Sequence, residues 1–169
     1  MSKTQFTLRA GSVALLLAVT GTTTSFAATQ TQTFTSSAKV NPQCNAVTAG
    51  TLAFGTYVPD APSDQTATST VSVACTKTTP IQIALDKGTT TGATTSARKL
   101  ASGANTLNYN LYSDSGRSTV WDDASSKVAG TGQGLTTKLD FTVYGKIPSG
   151  QVDTVPGDYT DSITVTVSY

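Results

Sequence analysis

Chemistry in this chain has to be done without histidine or glutamate, because the sequence contains neither. Ser-His-Asp and Cys-His catalytic arrangements are therefore excluded, as is any zinc site with a His ligand. General acid–base work would fall to Asp, Tyr or Lys alone. Three further features have the residue types of chemical sites. Gly130-Thr131-Gly132-Gln133-Gly134 has the composition of a phosphate-binding loop. It lacks the Gly-Lys-Ser/Thr ending and a following helix pattern, so it reads as a flexible connection. Asp122-Asp123 could contribute to a calcium site, but no alternating Asp/Asn ligand loop surrounds the pair, and a solvated acidic turn is the better reading. Trp121 could stack on a sugar; a single Trp in a β-rich domain is more often core. No catalytic residue, metal site or cofactor is expected. Net charge near zero with few Lys and Arg argues against nucleic acid as a partner.

The two remaining reactive residues, Cys44 and Cys75, take their meaning from the N-terminus. Lys3 and Arg9 supply a short positive region, Val13–Val19 an apolar run, and Ser25-Phe26-Ala27 the small residues of a cleavage site. This three-part pattern is that of a secretory signal peptide covering residues 1–27. The run is far shorter than the ~20 apolar residues a bilayer crossing needs. Cleavage after Ala27 would leave 142 residues with a net charge of −1. In an exported chain two cysteines read as one disulfide. Cys44–Cys75 would close a loop worth about 3–4 kcal/mol on the chain-entropy account.

The elements that would position such residues are strands. Thr is 34 of 169 residues and charged residues are only 12%, which disfavours long helices. Alternation with period two recurs instead. It appears at Phe34–Val40, Leu52–Phe54, Val71–Cys75, Ile81–Leu85, Leu107–Leu111 and Leu139–Val143, and most clearly over Tyr159–Tyr169. Turn signals separate these runs, among them Asp86-Lys87-Gly88, Ser102-Gly103-Ala104-Asn105 and Pro156-Gly157-Asp158. About seven short strands with this punctuation predict an antiparallel β-sandwich. Gly88–Ala97, rich in Thr, Gly and Ala, reads as a long solvated loop; modification or ligand contact there is the less favoured reading.

An ordered set of motifs runs through the whole of Cys44–Tyr169. After Cys44 come Leu52-x-Phe54-Gly55-x-Tyr57 and Val73-x-Cys75-Thr76. Ile81-x-Ile83-x-Leu85-x-x-Gly88, Arg98 and Leu107-x-Tyr109-x-Leu111-Tyr112-x-Asp114 follow. Val143-Tyr144-Gly145-Lys146-Ile147 and Pro156-Gly157-x-Tyr159-x-Asp161-x-Ile163-x-Val165-x-Val167-x-Tyr169 close the set. In these the chain resembles the spore coat protein U-like domain family, whose best understood members are subunits of archaic chaperone–usher pili of Gram-negative bacteria.

The resemblance implies an immunoglobulin-like antiparallel sandwich over residues 44–169 that lacks its last strand, preceded by a donor-strand extension over residues 28–43. A missing strand leaves an unpaired sheet edge and a groove over the core. Ile163, Val165, Val167 and Tyr169 of the C-terminal strand are expected at the groove and against a periplasmic chaperone. Phe34, Ser36, Ala38 and Val40 are expected to be the donor side chains that fill the groove of a neighbouring copy by strand addition. Ser36 and Gln32 stand where larger apolar residues would be expected, and Ser36 would mark a shallow or partly empty pocket.

The resulting expectation is a non-enzymatic pilin carried through the periplasm to the cell surface. It would be part of an adhesive fibre that acts in cell adhesion and biofilm formation. Its partners would be other copies or related pilins, the chaperone and an outer-membrane usher, with no small-molecule substrate. A non-fibrous coat protein and a surface carbohydrate- or receptor-binding module are the alternatives. The expected mature length leaves no room for the second, receptor-binding domain of a tip adhesin.

Overall fold

The alternating runs pair into eight strands in the computed structural model, which describes residues 27–169. They are β1 (Cys44–Ala49), β2 (Gln65–Cys75), β3 (Pro80–Leu85), β4 (Arg98–Ser102), β5 (Asn105–Tyr112), β6 (Val128–Thr131), β7 (Leu139–Ile147) and β8 (Val165–Ser168). No helix occurs among the described residues. The expected signal peptide, residues 1–27, lies outside them except for Ala27. Two units divide between Ala38 and Lys39, and the second, Lys39–Tyr169, carries all eight strands. The described part of the first, residues 27–38, is without regular secondary structure and exposed throughout.

Every pairing is antiparallel. Five strands form one sheet in the order β1-β2-β7-β5-β4, and three form a second in the order β6-β3-β8. Val73, Leu111 and Val143 from the first sheet share one buried cluster with Ile81, Ile83 and Leu85 from the second. The fold is thus an all-β sandwich of the immunoglobulin-like type. Each large apolar side chain so buried contributes about 1.5–3 kcal/mol. Trp121 belongs to this core, only 1% exposed, and its indole Nε1 donates to the Ile83 carbonyl at 2.9 Å.

The structure departs from the alternation pattern in four places. Gly130, expected in a flexible connection, lies in β6 opposite Ile81. A Cβ there would come within 2.7 Å of the Phe141 ring, so close packing, not flexibility, calls for the glycine. The Gly88–Ala97 stretch is not a simple solvated loop. Ala93 is buried, Thr94 and Ala97 exchange backbone hydrogen bonds, and Thr89 is tied to Asp161. Leu52 and Phe54 keep their inward alternation but pair with no strand.

The fourth departure concerns Tyr159–Tyr169, which is not one strand. Thr160 exchanges backbone hydrogen bonds with Ala101 of β4, at the far edge of the larger sheet, whereas Val165–Ser168 pair with β3 in the smaller one. Between them the Thr164 amide donates to the Asp86 carboxylate at 2.9 Å, and Asp161 accepts from its neighbour Ser162. Side-chain acceptors of this kind compete with a strand ladder, and they mark where the segment crosses from one sheet to the other.

Candidate functional site

The inward side chains of residues 159–165 line an open groove. One cavity of about 310 Å³ lies between Leu52 and Phe54 on one wall and Ile163 and Val165 on the other, above Val71 and Leu85. A second, of about 790 Å³, shares Leu52, Phe54 and Asp161 with it and continues toward Tyr57, Pro156 and Tyr159. β8 is a terminal strand of its sheet, as β1 is of the other. Its outer edge therefore has no strand partner among the described residues, and its N–H and C=O groups on that side are free to pair.

The wall containing Leu52 and Phe54 is held without a ladder. The Gln65 side-chain Nε2 donates to the Phe54 carbonyl, and the Phe54 ring meets Tyr109 edge-on at 6.0 Å between centroids. Gly145 in β7 makes room for it, since a Cβ there would lie 2.8 Å from both Leu52 and Phe54. At the far end the Tyr57 hydroxyl donates to the Pro148 carbonyl and accepts from the Gln151 amide.

The opposite wall is held by a polar cluster. Asp161 Oδ1 accepts from the Thr89 amide at 2.9 Å, and Asp161 Oδ2 accepts from the Tyr109 hydroxyl at 2.7 Å. Gly88 permits this approach: it adopts a φ of 84°, and a Cβ on it would overlap the Asp161 carboxylate. Burial and the bond to Asp161 push the Tyr109 phenol well up, so it stays a donor. Burial alone would raise the Asp86 carboxyl; the Thr164 and Gly88 donors and the Arg98 charge outweigh it and hold the group below its ordinary value.

Arg98 is the centre of this cluster and is fully buried. Its five N–H groups each meet an acceptor: the carbonyls of Asp86, Thr95, Leu85 and Trp121 and the Asn110 side-chain oxygen, all within 2.8–3.0 Å. A buried guanidinium is tolerated only when satisfied this completely. Burial lowers its pKa from the usual arginine value. Neither the buried state of Arg98 nor the tie of Asp161 to Tyr109 was foreseen. The available signal was Asp161 itself, a carboxylate inside an otherwise apolar inward stripe.

Of the residues singled out from sequence, Ile163 and Val165 lie on the groove wall. Val167 is opposite Ile83 and packs against the core beyond it, and Tyr169 is 61% exposed. Phe34 and Val40 are 91% and 83% exposed, and Ser36 and Ala38 are exposed as well. Cys44 and Cys75 are disulfide-bonded, with Cα atoms 4.0 Å apart. They face each other across β1 and β2, next to a backbone bond from the Thr76 amide to the Gln43 carbonyl. That places them in the close, non-hydrogen-bonded type of antiparallel pair, whose Cα atoms approach to about 4.5 Å; the separation here is shorter still, and below the usual 4.4–6.8 Å of a disulfide. Asp122 caps its own turn through the Ala124 and Ser126 amides, so it is a structural turn residue. Among the described residues no group of three or more acidic or cysteine side chains is placed to hold a metal.

Residues 30–166 match the Spore Coat Protein U domain family. No curated relative matches the sequence. Among solved structures, the chain is similar to one in the crystal structure of a chaperone–tip adhesion subunit pre-assembly complex from the archaic chaperone–usher Csu pili of Acinetobacter baumannii. The identity is 24% and the TM-score 0.54, covering 77% of this chain and 40% of that one. At that identity the likeness is one of fold.

Proposed function

Because the chain belongs to the Spore Coat Protein U domain family, we propose that it is a structural pilin, the repeating subunit of a surface fibre built by donor-strand exchange. The observation that carries this reading is the open groove beside the unpaired edge of β8. An apolar groove next to a free strand edge is a site for an added strand. The backbone of the incoming strand completes the sheet, and its alternate side chains fill the cavity.

The segment Thr33–Val40 is the proposed donor. Phe34, Ala38 and Val40 alternate with polar or small residues along an exposed stretch without regular secondary structure, and would share one face of it once it is drawn out as a strand. When one copy's segment fills its neighbour's groove, the contact is head-to-tail. Such a contact does not close, and it propagates as a filament. Before assembly a periplasmic chaperone occupies the same edge, and an outer-membrane usher passes subunits to the cell surface, where the fibre serves adhesion and biofilm formation. The signal peptide, residues 1–27, starts this route. No catalytic chemistry is assigned to the chain.

The test is chaperone capture. Val165→Asp places an unpaired charge in the groove, where it has no partner. Co-expressed with a periplasmic pilus chaperone that captures the unaltered chain, this variant should give little or no complex. Wild-type amounts of complex would overturn the assignment of the groove.

A further inference from the structure

The groove and the donor segment each carry one polar interruption. Along the inward stripe Tyr159, Asp161, Ile163, Val165, Val167, the one ionisable acid is Asp161, and it lines both cavities. Along the donor face Phe34, Ser36, Ala38, Val40, the polar member is Ser36. An entirely apolar strand laid over Asp161 would strip water from a carboxylate and give nothing back.

The carboxylate is unevenly satisfied. Oδ1 accepts from the Thr89 amide, the Thr89 and Thr90 hydroxyls and the Ser162 amide. Oδ2 accepts from the Tyr109 hydroxyl alone. A carboxylate oxygen has room for a second donor. The Tyr109 hydroxyl cannot move away to serve another group without leaving Asp161 worse off. The free acceptor site therefore calls for a small donor that arrives with the ligand.

Resting on the donor-strand reading above, we propose that the Ser36 hydroxyl of one copy donates to Asp161 Oδ2 of the next, and that this pair fixes the register in which the donor segment docks. Asp161 lies four residues before Val165, so a donor strand that runs along the β8 edge and past its start carries its side chains by the carboxylate in turn. A slip of one residue turns the apolar side chains out of the groove. A slip of two keeps them inward but sets Phe34 or Ala38 over the carboxylate. The register with Ser36 at Asp161 sets a hydrogen-bond donor, and not an apolar side chain, over the acid. Ser36 is then a specificity element, not an under-filled pocket.

The test measures binding of synthetic peptides covering Thr29–Asn41 to the full-length chain carrying Phe34→Asp, which under the donor-strand reading cannot lend its own segment. The S36A peptide should bind at least about tenfold more weakly than the unaltered one, as expected for loss of a hydrogen bond to a charged group. The S36T peptide, which keeps the hydroxyl, should retain most of the affinity. On acceptor chains also carrying Asp161→Ala, the S36A penalty should vanish.

The proposal is overturned if S36A binds as tightly as the unaltered peptide, or if its penalty persists on the Asp161→Ala acceptor. Should that acceptor fail to fold, as judged by Trp121 fluorescence, the S36A and S36T comparison on the Asp161 acceptor decides alone. An F34D peptide separates the two levels of argument. If F34D abolishes binding while S36A does not weaken it, the register pair falls and the donor reading stands. If the unaltered peptide does not bind, both fall.

Discussion

The Tyr109 hydroxyl donates to Asp161 Oδ2 at 2.7 Å and thereby ties β5, an interior strand of the five-stranded sheet, to the segment that leads into β8. The bond spans 52 residues of sequence and holds one wall of the groove against the core. Tyr109→Phe keeps the ring's packing and removes the donor. Thermal or urea unfolding followed by Trp121 fluorescence should show a loss of about 1–2 kcal/mol, the usual cost of leaving a buried polar partner unmet. Unchanged stability would mean that the bond does not hold the wall.

Arg98 should be among the least replaceable residues in the chain. Arg98→Met fills much of the volume but takes the Arg98 donor from four carbonyls, and leaves the Asn110 side-chain oxygen with the Leu111 amide alone. The expected loss exceeds about 3 kcal/mol, since each unsatisfied buried acceptor costs roughly 1–3 kcal/mol. Arg98→Lys should rescue little, because an ammonium cannot reproduce the planar five-donor fork. A Lys variant as stable as the parent would contradict this account of the cluster.

Gly145 gives a way to disturb the groove from behind. In Gly145→Ala the new methyl would lie 2.8 Å from Leu52 and Phe54 and push their segment off β7. Overpacking of this kind typically costs about 1–3 kcal/mol. Binding of the Thr29–Asn41 peptide should weaken together with stability, because the displaced residues are the groove's wall.

The disulfide should matter to export. Replacing Cys44 or Cys75 by Ser removes a cross-link over a separation of 31 residues, and about 2–5 kcal/mol is the usual loss in small secreted domains. Periplasmic yield should fall accordingly. Intact mass of the exported protein after alkylation should show no free thiol; two alkylated thiols would refute the pairing.

Stability should respond to acid in a defined window. Asp64, Asp86, Asp114 and Asp122 all have carboxyls held below the ordinary value of 3.8. The donors responsible include the Ser149 amide and Lys146 for Asp64, Thr164 for Asp86, Thr119 and Ser118 for Asp114, and Ser126 for Asp122. A depressed folded-state pKa contributes stability above the unfolded value, and that contribution is lost as pH falls through the folded one. With no His or Glu in the chain, Tm should be nearly flat from about pH 8 to about pH 5 and fall below about pH 4. Asp86→Asn, which keeps an acceptor oxygen but loses the charge, should make the acid limb shallower. A steep decline between pH 7 and 5 would point to a titrating group outside this set.

How far the sequence can be read depends on which interactions make each element. β2, β3, β5 and β7 are evident because each buries one face, so Val71 and Val73 or Ile81 and Ile83 alternate visibly. β6 is hidden because Gly130 weakens the strand signal, and its presence depends on Ile81 and Phe141, which are distant in sequence. β4 is hidden because Arg98 and Lys99 read as surface residues. The burial of Arg98 is created by carbonyls at Leu85–Asp86, Thr95 and Trp121 and by the Asn110 side chain, a set that no local pattern encodes. The groove is half legible. The apolar stripe of Ile163 and Val165 shows in the alternation, but the crossing from one sheet to the other at Asp161–Thr164 is set by Asp86, Thr89 and Tyr109. Those contacts exist only once the two sheets have come together.

The central claim is that the N-terminal segment of one copy completes the β8 edge of the next. It is tested most directly by electron microscopy of cells producing the chain without residues Ala28–Lys39 but with the signal peptide intact, alongside a measurement of periplasmic chaperone complex. The account predicts subunit captured by chaperone at near-normal levels and no fibres at the cell surface. Fibres of ordinary length and abundance from the shortened chain would contradict it.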